Sequence, residues 1–193
     1  MKNLYEYMCR FAPVTPEEFQ QFATLLETVN CPKKKMLTRA GEVEQYLYII
    51  SSGLVRKFFL RKKDEVVTQL AREGDLVCSS VSFLSQQPSE YFVETLEPCS
   101  LLAINFDNLQ KMYSLGEHME RLGRLITIDW LLQKEQWEHD RLRQQPRERF
   151  IRFMRENGDL VQRIPQKYLA SYLNMKPETF SRYKHLLKSS AHS

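Results

Sequence analysis

Apolar positions along this chain recur with two different periods, and the changes of period mark out its elements. Phe19, Phe22, Leu25 and Leu26 fall at three- and four-residue intervals behind Thr15-Pro16-Glu17-Glu18. That tetrad opens a helix: Thr15 caps it, Pro16 suits the first helical position, and Glu18 completes a capping box. From about residue 29 the period shortens, with β-rich runs over 36–37, 46–50, 54–60, 66–70, 92–96 and 101–104. Turn signals separate them at Ala40-Gly41-Glu42, Ser51-Ser52-Gly53, Arg61-Lys62-Lys63-Asp64, Glu73-Gly74-Asp75 and Glu97-Pro98. Short strands at this spacing predict a small antiparallel β-roll or barrel, not a parallel sheet.

Helical spacing returns after Ile104. A short helix over 106–113 ends at Ser114-Leu115-Gly116, and a long one follows over 117–143, roughly 40 Å of helix. Met119, Leu122, Ile126, Trp130, Gln133 and Trp137 form one stripe along it, and Leu125, Ile128, Leu131 and Leu132 a second. Two apolar faces need two partners. The economical pair is the chain's own β-roll and a symmetry mate, so a homodimer is expected, with the first stripe as candidate interface. Gln144-Gln145-Pro146 then punctuates the chain, and three more helices are predicted over 147–156, 165–173 and 177–187. The fold class is α+β, with domains over 1–116 and 146–193 joined by a dimerisation helix within 117–145.

Composition narrows the functional classes. The 193 residues are 42% hydrophobic and 27% charged, ordinary for a globular chain. No apolar run reaches the roughly 18 residues of a membrane span. Met1-Lys2-Asn3-Leu4-Tyr5-Glu6 lacks a signal-peptide core, so a cytoplasmic location is expected. Cys9, Cys31, Cys78 and Cys99 have no CxxC spacing, and His118, His139, His185 and His192 are equally scattered. That pattern predicts free thiols, no metal and no cofactor. Without a Ser/His/Asp set or a phosphate loop, no catalytic residue is assigned and an enzyme is not expected. Charge is unevenly placed. Residues 140–193 hold twelve Lys/Arg against five Asp/Glu, a net of +7, while residues 1–139 carry a net of −3. A basic C-terminal third is an electrostatic footprint for nucleic acid.

The sharpest motif lies in that third, between Gln166 and His185. A helix-turn-helix needs apolar facing positions, a small residue where the helices cross, and a turn residue at ease in left-handed geometry. Leu169, Leu173, Met175, Phe180 and Tyr183 supply the first, Ala170 the second and Asn174 the third. The candidate DNA-binding residues are Gln166, Lys167, Lys176, Glu178, Thr179, Ser181, Arg182 and Lys184. Arg182 can bond guanine twice, and Glu178, four residues earlier on the same face, can accept from a cytosine amine. Thr179, Ser181 and the lysines suit phosphates.

In this order of elements the chain resembles the Crp–Fnr superfamily, the cyclic-AMP receptor protein and its relatives. Gly41-Glu42 and Gly53 look like the glycine turns of that family's β-roll, and Glu73-Gly74-Asp75-Leu76 like the entry to its phosphate-binding cassette. Pro177-Glu178-Thr179-Phe180-Ser181-Arg182 looks like its recognition motif. The resemblance implies a transcription regulator that binds an inverted-repeat operator as a homodimer and contacts RNA polymerase. It also implies an effector pocket, for which Gly74, Asp75, Cys78, Ser79, Ser80, Ser82, Ser89 and Tyr91 are candidates. Three departures modify these expectations. Where cyclic-nucleotide binders carry a Gly-Glu pair and an Arg-Ser pair, this chain has Cys78-Ser79 and Ser89-Glu90. The arginine is missing and a carboxylate would repel phosphate, so tight cyclic AMP binding is not expected and the effector is left open. Pro177 replaces a leading arginine that reads guanine, so the operator should differ. A C-terminal wing is expected to be absent. The alternative function is a sensor scaffold that acts through protein partners without DNA.

Overall fold

A computed structural model describes residues 2–190, with side chains placed over 4–186; the question of a wing falls outside these residues. The chain forms two compact units, Met1–Phe59 with Thr68–Leu131, and Leu60–Val67 with Leu132–Ser193. The divisions fall after Phe59, after Val67 and after Leu131, the last of them within the long helix over 117–143.

The first unit begins with α1 (Lys2–Cys9) and α2 (Pro16–Ala23). Thr15 and Glu18 make the predicted capping box at α2, with Thr15 N–H donating to Glu18 Oε2 at 2.8 Å. The strands are β1 (Glu27–Cys31), β2 (Met36–Thr38), β3 (Tyr46–Ser52), β4 (Val55–Arg61), β5 (Asp64–Ala71), β6 (Leu76–Val77), β7 (Phe92–Thr95) and β8 (Cys99–Asn105). A short helix, α3 (Ser80–Ser85), interrupts them, and α4 (Phe106–Tyr113) follows. Two four-stranded sheets, ordered β1-β8-β3-β6 and β2-β7-β4-β5, make the roll. The pairs β1–β8, β3–β8 and β4–β7 run antiparallel, with Tyr48 opposite Ala103 and Ile49 opposite Leu102.

Both faces of β3 and β8 are buried, which is why those segments read as unbroken apolar runs. Tyr48, Ile50, Leu101 and Ala103 belong to the core inside the roll. Leu47, Ile49, Leu102 and Ile104 belong to a second core under the helices, with Met8, Phe22, Leu109 and Met112. The long helix α5 (Glu117–Arg143) adds Met119 and Leu122 to that second core, and Ile126 and Trp130 pack against it.

The second unit contains α6 (Pro146–Glu156), α7 (Gly158–Arg163), α8 (Gln166–Tyr172) and α9 (Pro177–Ser190). Pro146 opens α6 as its missing N–H allows. The short α7 was not predicted, because Asn157-Gly158 reads as a stop and six residues give no period. Phe150, Phe153, Leu160, Ile164, Leu169, Leu173 and Phe180 are buried. The rings of Phe150 and Phe180 meet edge-on at 5.1 Å, tying α6 to α9. Among the described residues no helix is long and apolar enough to cross a membrane.

Candidate nucleic-acid interface and sensor cassette

In the second unit α8 and α9 are joined by a tight turn over 173–176. Asn174 adopts the left-handed conformation expected of it, with φ at 51°. Its N–H donates to Ser171 O at 3.0 Å, and Met175 N–H donates to Ala170 O at 2.9 Å. Ala170, Leu169 and Leu173 are fully buried at the crossing. This geometry leaves Gln166, Lys167, Lys176, Glu178 and Arg182 exposed, with Thr179, Ser181 and Lys184 half-buried. Glu178 and Arg182 sit one turn apart on α9, and the Arg182 guanidinium lies 5.5 Å from the Tyr183 ring.

Arg149 holds the turn of this hairpin in place, a role that its charge alone does not show. It is buried, and its guanidinium donates from Nε to Leu173 O at 3.1 Å and from Nη2 to Asn174 O at 3.4 Å. Nη1 also donates to the carbonyls of Arg141, at 3.0 Å, and Gln144. Burial lowers its pKa, with Arg141 adding to the effect. A sequence signal existed: Arg149 lies four residues before Phe153 and next to Phe150, on the apolar side of α6. Ser171 likewise faces inward within this unit. Its hydroxyl donates to Glu65 O and accepts from Val67 N–H, both at 2.9 Å.

The stripe proposed as a dimer interface divides differently from expectation. Met119 and Leu122 are fully buried in the first unit's own core, so they are spent on folding. Trp137, in the second unit, stacks on Tyr172 with ring centroids 4.3 Å apart and planes 7° from parallel. Gln133 is exposed. The second stripe is the uncovered one, with Ile128, Leu131 and Leu132 each more than 40% exposed.

In the first unit the cassette residues separate into two groups. Gly74 and Asp75 form a turn that bonds to the backbone of Ile50 and Arg72. Cys78, Ser79, Ser82, Ser89 and Tyr91 gather elsewhere, around Glu44 and Lys57. Ser80 is half-buried and outside the hydrogen bonds of that cluster. The Glu44 carboxylate is 1% exposed and accepts from Thr38 Oγ1 at 2.6 Å and from Ser79 N–H at 2.9 Å. Its backbone N–H donates to Ser82 Oγ at 2.9 Å. Ser89 Oγ donates to Ser79 Oγ at 2.7 Å and accepts from Tyr91 N–H at 2.9 Å. Lys57 Nζ donates to Cys78 O at 3.2 Å and lies 5.6 Å from the Tyr91 ring centroid.

Burial raises the Glu44 carboxyl above its ordinary pKa, against the opposing pull of its hydrogen bonds. Burial also pushes up the Cys78 thiol. Donors in this cluster are engaged within the protein, beside a buried carboxylate. Glu90, expected to repel phosphate, is exposed instead. Sequence reading missed Glu44, although it keeps the even-numbered parity of the inward-facing Tyr48 and Ile50.

Residues 28–115 match the family profile described as the cyclic nucleotide-binding domain. The fold is shared with solved regulators, among them a protein of Eubacterium rectale described as a putative transcriptional regulator of the crp/fnr family, at 12% identity over 92% of this chain and 85% of that one and a TM-score of 0.67. Against the c-di-GMP responsive global regulator CLP of Xanthomonas campestris, identity is 19% over 92% of this chain and 93% of that one, at a TM-score of 0.71. FixK2 of Bradyrhizobium japonicum gives 0.74 at 18% identity, covering 86% of each chain. The catabolite activator protein of Thermus thermophilus gives 0.52 at 21% identity, over 94% of this chain and 87% of that one. Among curated proteins the chain has no match.

Proposed function

We propose that this chain is a homodimeric, sequence-specific DNA-binding transcription regulator, not an enzyme, that works in the cytoplasm and does not respond to cyclic AMP. The observation that carries the DNA assignment is the α8–turn–α9 hairpin, with Arg182 and Glu178 exposed on one face of α9. Lys167 and Lys176 are exposed nearby in sequence, at the start of each helix, where phosphate contacts set register. The c-di-GMP-responsive neighbour is itself a regulator of gene expression, which supports the class and not the ligand.

Dimerisation proceeds through the uncovered face of α5, where Leu125, Ile128, Leu131 and Leu132 repeat at helical spacing opposite the stripe buried in the first unit. A two-fold dimer presents two copies of α9 about 34 Å apart, so the operator is an inverted repeat with half-site centres roughly 10 base pairs apart. RNA polymerase is the partner such a regulator addresses. The self-satisfied cluster around Glu44 supports the absence of tight cyclic-nucleotide binding. Selection of the full chain on random-sequence duplexes tests this function. Enrichment of an inverted repeat is expected, and enrichment of no sequence, with binding only to protein partners, would favour the scaffold alternative. Replacing Ile128 and Leu132 together by glutamate should give monomers by light scattering, with the roll still folded.

A further inference from the structure

The first unit holds a cavity of about 90 Å³ that shares no lining residue with the polar cluster around Glu44. It lies on the outer side of the sheet, against Leu47 and Ile49 of β3, with Met8, Leu109, Leu122 and Ile126 supplied by the helices. None of its lining residues is charged. A phosphate or carboxylate group there would lose its hydration without a partner among the lining residues, and Asp129 and Asp75 act on Tyr7 from nearby, so the cavity rejects anions.

The helix that walls it is built to a close tolerance. Gly123 lies inside α5, where glycine costs about 1 kcal/mol relative to alanine. A Cβ at that position would stand 2.2 Å from Cε1 of Tyr113, so glycine is what admits the Tyr113 ring against the helix. Gly123 and Tyr113 both line the cavity. Tyr7 lines it as well, and neither tyrosine hydroxyl has a hydrogen-bond partner among the described residues. Tyr5, by contrast, donates to Val14 O at 2.9 Å. Thr127 is already committed to Gly123 O at 2.8 Å.

We propose that this cavity is a binding site for a small neutral organic molecule, an apolar body carrying one hydroxyl or carbonyl that meets Tyr7 or Tyr113. Apolar cavities of roughly 150 Å³ take up benzene, so at about 90 Å³ the enclosed part of the ligand has about four heavy atoms. The sensor unit thereby receives an uncharged signal at a place distinct from the nucleotide cassette. Binding alone is read in the test, so its outcome is independent of the DNA assignment.

Trp130 lines the cavity and serves as the reporter. In the full chain carrying Trp137→Phe, 1-pentanol should shift Trp130 emission saturably, and pentanoate should bind at least tenfold more weakly. Leu109→Phe, which fills the cavity, should weaken pentanol at least tenfold. Leu84→Trp, at a residue 54% exposed, should do the same from the mouth without loading the core, read by saturation-transfer NMR. Equal responses to pentanol and pentanoate would overturn the proposal. So would parental binding by the folded Leu84→Trp chain, or a response only in monomeric variants, where a second copy had been the occupant.

Discussion

The polar cluster of the first unit and the α9 face of the second are built in opposite ways. In the first, Glu44, Ser79, Ser82 and Ser89 are at most 4% exposed and bond among themselves. In the second, Glu178 and Arg182 stand exposed on α9. A buried network that satisfies itself fixes one shape of the roll and leaves few groups to offer a ligand. An exposed helical face with unspent donors can still exchange water for base edges and phosphates. The carboxylates show the same contrast. Burial raises Glu44, whereas a hydrogen bond from Arg152 at 2.6 Å lowers Asp140.

The largest effect should come from the residue that holds the reader's turn. Arg149→Leu removes the guanidinium bonds to Leu173 and Asn174, and should cost about 3 kcal/mol in the second unit. Hydrogen exchange should rise across α8 and α9 and stay unchanged in the roll. Uniform loosening of both units would mean that Arg149 supports more than the turn.

Next comes Glu44→Ala, which orphans Ser79 N–H and the Thr38 hydroxyl and should destabilise the roll by about 2 kcal/mol. Glu44→Gln should cost less and carries a pH signature. A carboxyl raised by burial disfavours the fold once ionised, so its contribution is greatest below the ordinary carboxylate range and is lost as pH rises through the folded value. The parent should therefore lose stability relative to Glu44→Gln between acid and neutral pH in denaturant titrations. Asp140→Asn should give the opposite slope. Asp140 is held low, so its contribution is present above the ordinary carboxylate range and is lost as pH falls. Equal slopes would erase the contrast between the units. The smallest effect is Ser89→Ala, about 1 kcal/mol, with calorimetry still detecting no tight cyclic AMP binding.

The architecture was legible because burial writes a period into the chain. The capping box at Thr15 and Glu18, the double-faced runs of β3 and β8, and the left-handed Asn174 all have local causes. Tertiary facts were less accessible. Two apolar stripes announce two partners, yet spacing alone does not say which one folds inward, and Met119 and Leu122 proved to be core. Glu44 and Arg149 read as surface charges because their compensation comes from residues distant in sequence, Ser79 in one case and Leu173 in the other. The helix α1 places Leu4 and Met8 four residues apart in the core, but its eight residues make little more than two turns, too short a stretch to establish a period.

The most direct test is quantitative binding of the parent and Arg182→Ala to an operator obtained by selection and to its single-base variants, at fixed salt. Arg182→Ala should lose about 1–3 kcal/mol of affinity and its preference at one position in each half-site, while folding stability changes by less than about 0.5 kcal/mol. Lys176→Ala should instead weaken all sequences alike and reduce the salt slope by about one. Unchanged affinity and unchanged preference in Arg182→Ala would contradict α9 as the reader.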